Sequence, residues 1–200
     1  FYNAYLPRIA PQDYQGRVSA WGFAVGYVGS LVALGVAALI DPRERLGWVW
    51  VALAAQWVGA ALPAFLVLPP DKLGVPLRLA AARGVAGTWA ALRDVLKTPH
   101  LRWFLLAYFF YMDGVETVVV FAGTYAKTTL GFSTSELLGL FALVQLTALA
   151  GSLALARPTD TRGPRFTLRL TLLWWVLTVV AAYLAQSKLA FWIVGGLAGL

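Results

Sequence analysis

Residues Trp103–Ala126, WFLLAYFFYMDGVETVVVFAGTYA, form an apolar run with two carboxylates, Asp113 and Glu116, near its middle. A bilayer core about 30 Å thick is crossed by about 20 residues of helix, so this run is long enough to span one. Asp113 sits ten residues in, roughly 15 Å deep at about 1.5 Å per residue. An ionised group at that depth costs at least about 2.5 kcal/mol, so it must face a water-filled cavity or a partner rather than lipid. The rest of the chain has to supply the surroundings that tolerate it.

Composition agrees with a membrane setting. Sixty per cent of the residues are hydrophobic and only 12% are charged, with a mean hydropathy of +0.72, which excludes an ordinary soluble domain. The chain has no Cys, so disulfides, zinc ribbons and thiol catalysis drop out. His100 stands alone, which leaves no material for a histidine-based metal site or a serine hydrolase triad. The net charge of +7 is carried at the ends of apolar runs, a placement that fits anionic lipid better than nucleic acid. A chain that opens at Phe1 and stops at Leu200 inside an apolar run has the form expected of an excised piece of a longer protein.

In order, Phe1–Gln15 reads as the exit of an earlier span and a short loop broken by Pro7 and Pro11. Val18–Ile40 is the first complete span, with Gly22, Gly26 and Gly29 on one smooth face where another helix can approach. After a polar turn at Asp41–Arg45, Leu46–Leu68 is the second span, with Gln56 near its centre. Asp71–Arg102 is the longest polar connection. Its apolar residues recur at helical spacing and predict an amphipathic segment at the membrane surface, which Pro76, Gly84 and Gly87 weaken as one continuous helix. Spans at 103–126, 136–156 and 166–185 follow, with Gln145 central in the second of these and a partial span at 188–200. Ser133 or Thr134 is placed to cap the span that begins at Glu136. The tract Arg157–Arg165 reads as a compact basic loop.

If successive spans alternate in direction, twelve of the 16 Lys and Arg residues fall on one side. That bias assigns the N-terminal segment, the long connection and the 157–165 loop to the cytoplasm. Residues 1–70 then read as the end of an N-terminal helical half, 71–102 as a cytoplasmic central linker, and 103–200 as the start of a C-terminal half.

The tracts Tyr2-Asn3-Ala4-Tyr5-Leu6-Pro7, Arg17-Val18-Ser19 and Gly22–Gly29 resemble the major facilitator superfamily. More narrowly they resemble its vacuolar amino-acid effluxers linked to autophagy and their bacterial relatives, as does Phe110–Val115. Asp160, Gly163 and Arg165 are similar to the superfamily's cytoplasmic loop motif, with Thr161 and Ala156 replacing its usual arginine and leading glycine. The resemblance implies an all-α polytopic fold of twelve helices in two six-helix halves, of which these residues cover about five spans and part of a sixth. It implies a loop whose charges stabilise one conformation, and a substrate site at the midplane between pseudosymmetric halves.

On this reading the protein is a secondary active carrier of a small polar solute such as an amino acid, working by alternating access and coupled to protons, in a bacterial inner membrane. Asp113 and Glu116 are candidates for binding a proton or a substrate amine; the competing role is a structural charge paired elsewhere. Gln56 and Gln145 either bond substrate or knit helices together. Asp160, Gly163 and Arg165 either latch the carrier or only set topology, and Gly22, Gly26 and Gly29 serve packing. No enzymatic activity, cofactor, metal or nucleic-acid partner is expected; lipid, solute and protons are, with a monomer as the simplest state. A multidrug-type exporter and a non-transporting membrane scaffold or sensor are the alternatives.

Overall fold

The computed structural model describes residues 6–7, 9–40, 42–67 and 76–200, the side chains of 42–44 and 77 excepted. Residues 1–5, Arg8 and Asp41 lie outside them, as do 68–75, which take in the end of the second span, Pro69, Pro70 and the first residues of the 71–102 linker with Lys72. The described residues are almost all helical, and none of them forms a strand. A 3-10 turn at Gln12–Tyr14 leads into α1 (Gln15–Ile40). It is followed by α2 (Pro42–Val67), α3 (Leu77–Lys97), α4 (Pro99–Thr128), α5 (Thr134–Arg162), α6 (Pro164–Leu184) and the short α7 (Lys188–Ala198). The backbone leaves the helical region at Arg45 (φ −131°, ψ 38°), so the membrane-length part of α2 is Arg45–Val67. With it, Gln12–Ile40, α4, α5 and α6 make five helices long and apolar enough to cross a bilayer.

The chain forms two compact units, Phe1–Gly59 with Thr124–Leu200, and Ala60–Gly123. In the first, α1 packs along α5, and α5 also packs against α6 and α7. α5 is the enclosed member: 17% of its membrane-length window is buried, against 6% for α1 and α6. The buried apolar residues are mostly small, among them Ala10, Ala24, Ala126, Ala148, Ala156 and Ala185. That is how membrane helices pack, because lipid is as apolar as leucine and close backbone approach is what remains to hold them. Large side chains such as Trp21, Phe23, Leu39 and Val180 stay exposed, as lipid-facing residues do.

Helix termini follow local chemistry. α5 starts with a capping box: Ser133 Oγ accepts from Glu136 N–H at 3.2 Å, and Glu136 Oε2 accepts from Ser133 N–H at 2.7 Å. Ser133 is therefore the cap.

At its other end α5 runs on through Arg162, so most of the basic tract read as a loop is helix. Pro158 has no N–H for the carbonyl of Ala154, yet the helix continues, and the Thr159 and Thr161 hydroxyls donate to the carbonyls of Leu155 and Arg157. The connection to α6 is Gly163 alone, at φ +84°, a conformation glycine adopts without strain. Pro164 then opens α6, where its missing N–H costs nothing.

The second unit contains α3 and most of α4. α3 is one continuous helix, despite the weakening expected of Pro76, Gly84 and Gly87. Pro76 sits at the N-cap, where its carbonyl accepts the Ala80 N–H at 2.9 Å and its own missing N–H is not needed, and each glycine costs only about 1 kcal/mol among neighbours rich in Ala and Leu.

Candidate functional site

The first unit brings its charges together at two places, one at each end of α5. At the C-terminal end Asp160 is buried, its side chain 4% exposed. Its Oδ1 accepts the Gly16 N–H at 2.8 Å, and Arg17 Nε lies 3.2 Å from its Oδ2 without hydrogen-bond alignment. Gly16 belongs to the first turn of α1, where backbone N–H groups have no partner within the helix. Asp160 thus caps a helix other than its own and places negative charge at the positive end of its dipole.

A side chain at residue 16 would obstruct this: a Cβ there would overlap Asp160 Oδ1 and meet Thr159 Cβ at 3.1 Å. Arg17 also stacks over Tyr14, 4.9 Å from the ring centroid. A cavity of about 680 Å³ lies beside the pair, lined by Gln12, Asp13, Gln15, Ser19, Thr159 and Gly163 among others.

Of the loop-motif residues, Gly163 makes the turn and Asp160 the contact, while Arg165 is exposed on the first turn of α6 and makes no ion pair among the described residues. The cation that faces Asp160 is Arg17. Nothing in the spacing of Arg17 and Asp160 signals this contact; the sequence feature that bears on it is the Lys/Arg bias, which assigns the N-terminal segment and the 157–165 tract to one side.

At the other end of α5, about 36 Å away by helical rise, Lys188 Nζ donates to both Glu136 carboxylate oxygens at 2.9 Å and sits 5.2 Å from the centre of the Phe132 ring. Phe132 packs on Phe191 and Trp192, and Tyr125 OH donates to the Ala185 carbonyl at 3.3 Å.

The remaining candidates stand apart. Gln56 Nε2 donates to the Gly29 carbonyl at 2.7 Å and ties α2 to α1, which is the helix-knitting role. Gln145 is half-buried on α5 and makes no hydrogen bond with another described residue. Among the described residues backbones do not meet at Gly26 or Gly29: a Cβ on Gly26 would touch none of them within 4 Å, and one on Gly29 only Gln56 Nε2, at 3.6 Å. The close approach is between α5 and α7, where a Cβ on Gly199 would overlap Val144 and Thr147 and one on Gly195 would meet Leu140 Cδ1 at 2.5 Å.

In the second unit, Asp113 and Glu116 lie at the middle of the 30-residue α4, three residues apart and therefore on nearly one face. Both are exposed, and neither has an ion-pair partner among the described residues. Those residues hold no group of three His, Cys, Asp or Glu placed to bind a metal.

Five membrane-length helices, small-residue packing and an acidic pair at mid-span define an integral, multi-pass, all-α membrane protein. The chain belongs to the family described as vacuole effluxer Atg22 like, whose model matches residues 2–200. It is 28% identical over 205 aligned positions to the uncharacterized MFS-type transporter YxiO of Bacillus subtilis, across 96% of this chain and 47% of that protein. It is 30% identical over 139 residues to autophagy-related protein 22-1 of Emericella nidulans, across 60% of the chain and 23% of the fungal protein. The autophagy-related protein 22-1 of Aspergillus niger is 30% identical over 146 residues, across 66% and 24%. The chain spans about half the length of the bacterial relative and about a quarter of the fungal ones. No solved structure matches it. The fold class is accordingly that of the major facilitator superfamily.

Proposed function

We propose that this chain forms the middle of a secondary active transporter that moves a small polar solute, with amino acids the first class to test, by alternating access coupled to protons. The observation that carries the reading is the pair Asp113 and Glu116, halfway along a membrane-length helix and without an ion-pair partner among the described residues. Carboxylates at that depth are functional by default, because lipid does not tolerate them and only a cavity or a partner accounts for them. Asp113 would bind the proton or the substrate amine, Glu116 would share that task, and Gln145 would offer a neutral hydrogen bond. The family description as an effluxer and the bacterial relative's name as an MFS-type transporter support transport over a scaffold or an enzyme. That relative matches nearly the whole chain, which supports a bacterial cytoplasmic membrane.

The proposed organisation keeps residues 1–70 and 103–200 as parts of two halves joined by 71–102. Arg17 and Asp160 then belong to different halves, and their contact is a latch that closes one side of the carrier and opens when that side opens. The twelve-to-four charge bias supports placing it on the cytoplasmic side.

The test is solute-dependent proton movement by the full-length protein in liposomes with an imposed pH gradient and an internal pH dye. A panel of amino acids and other small solutes is offered to wild type, Asp113→Asn and Glu116→Gln. The expected result is proton flux with a subset of amino acids that falls at least tenfold in Asp113→Asn. Unchanged flux in that variant would reduce Asp113 to a structural charge. Absence of flux with every solute would overturn the transporter reading.

A further inference from the structure

The chemistry of α3 changes around its circumference. At about 100° of turn per residue, Val85, Trp89, Leu92 and Leu96 fall within an arc of roughly 60°. These four are 73%, 63%, 46% and 56% exposed, so the described residues do not cover them. Arg93, Lys97 and Arg83 follow along one flank, at roughly 80°, 120° and 160° from Val85, and all three are exposed. The separation holds from residue 83 onward; in the first turn Arg78 falls at about 20°, in line with the stripe, and Leu79 at about 120°. Asp94 is the one acidic residue of the helix. An apolar stripe with a Trp and a basic flank is the pattern of a helix that lies in the membrane interface, its apolar side among the acyl chains.

The position of α3 in the chain supplies an independent argument. It ends at Lys97, and Thr98 is the single extended residue before Pro99 opens α4. The Thr98 N–H is held by the carbonyls of Asp94 and Val95, so little slack remains. Arg102, 5.6 Å over the Trp103 ring, marks the headgroup level at the start of the span. The C-terminal end of α3 is therefore fixed within about one helical turn of a bilayer surface.

We propose that α3 docks on the anionic leaflet of the membrane, with Val85, Trp89, Leu92 and Leu96 inserted below the headgroups and Arg83, Arg93 and Lys97 engaging their negative charges. Charge complementarity selects lipid as the occupant. A groove on another protein would accept the stripe but would not require an adjoining basic flank beside a membrane entry point. This inference rests on the membrane topology and not on any solute.

The 200 residues contain no Cys, so one introduced among them is unique there. Spin labels at Val85→Cys, in the stripe, and Ala90→Cys, about 140° away, would be compared in the full-length protein after replacing any Cys outside this chain by Ser. The protein is placed in nanodiscs of zwitterionic lipid and of lipid containing phosphatidylglycerol. Power saturation then measures access to oxygen, which partitions into lipid, and to a water-soluble nickel complex. The expected result is a Val85 label exposed to oxygen and an Ala90 label exposed to nickel, with the contrast larger in anionic nanodiscs. Combining Arg83→Gln, Arg93→Gln and Lys97→Gln should abolish the difference between the two lipids. Both labels exposed to nickel would overturn the proposal in favour of a solvated linker. A Val85 label shielded from both reagents would overturn it in favour of a protein partner, and a contrast indifferent to lipid charge would remove the anionic preference.

Discussion

The two ends of α5 each hold a carboxylate that accepts a backbone N–H from the first turn, or just before the first turn, of a helix, but they do it over different ranges. Glu136 closes the N-terminus of its own helix, three residues from Ser133, and is then met by Lys188 in a half-exposed pair. Asp160 closes the N-terminus of α1, 144 residues away in sequence, and is buried. The first arrangement is rigid whatever the protein is doing, since a capping box belongs to one helix. The second exists only while α1 and α5 stay in register. A local cap makes a helix; a remote cap makes a joint between helices.

Four substitutions sharpen that contrast. Gly16→Val should have the largest effect, because its side chain would overlap the Asp160 carboxylate and crowd Thr159. Parting α1 from α5 there should cost about 2–3 kcal/mol, read as a lower unfolding midpoint in detergent and a wider distance between spin labels on the two helices. Asp160→Asn keeps an acceptor for the Gly16 N–H but removes the charge beside Arg17, for about 1–2 kcal/mol. The distance distribution between α1 and α5 should move toward the separated population, with little change in helix content by circular dichroism. Ser133→Ala should cost about 1 kcal/mol through the lost cap, visible as faster amide exchange over residues 134–137 and no change in the α1–α5 distance. Glu136→Gln should have the smallest effect, since glutamine preserves the capping box. Its loss should appear only at low ionic strength, because the half-exposed pair with Lys188 is screened by salt. If the Asp160 and Ser133 variants shifted the same observables, the distinction between joint and cap would fail.

What sequence reading recovers follows the range of the interaction. The long apolar runs coincide with membrane-length helices, because period and length are local properties. Ser133-x-x-Glu136 signals its own cap for the same reason. The contact of Arg17 and Gly16 with Asp160 leaves no such mark, since nothing in the spacing of three residues near opposite ends of the chain says that they touch. Side-chain polarity misled in the 157–165 tract: three arginines, two threonines and two prolines read as a loop, yet the threonine hydroxyls bond within the helix and only Gly163 turns. In α3, Pro76 and two glycines weigh against one continuous helix in the sequence, but a proline at the cap weakens nothing.

The Gln56 bond has a consequence for how the chain can change over time. Its acceptor is the Gly29 carbonyl, a backbone atom that every residue type possesses. An alanine at 29 would bring its Cβ to an ordinary 3.6 Å from Gln56 Nε2, so the bond would survive the replacement. A leucine at 56 would delete it outright. One partner of this pair is free to drift and the other is not, so the join between α1 and α2 is recorded in the side chain at a single position.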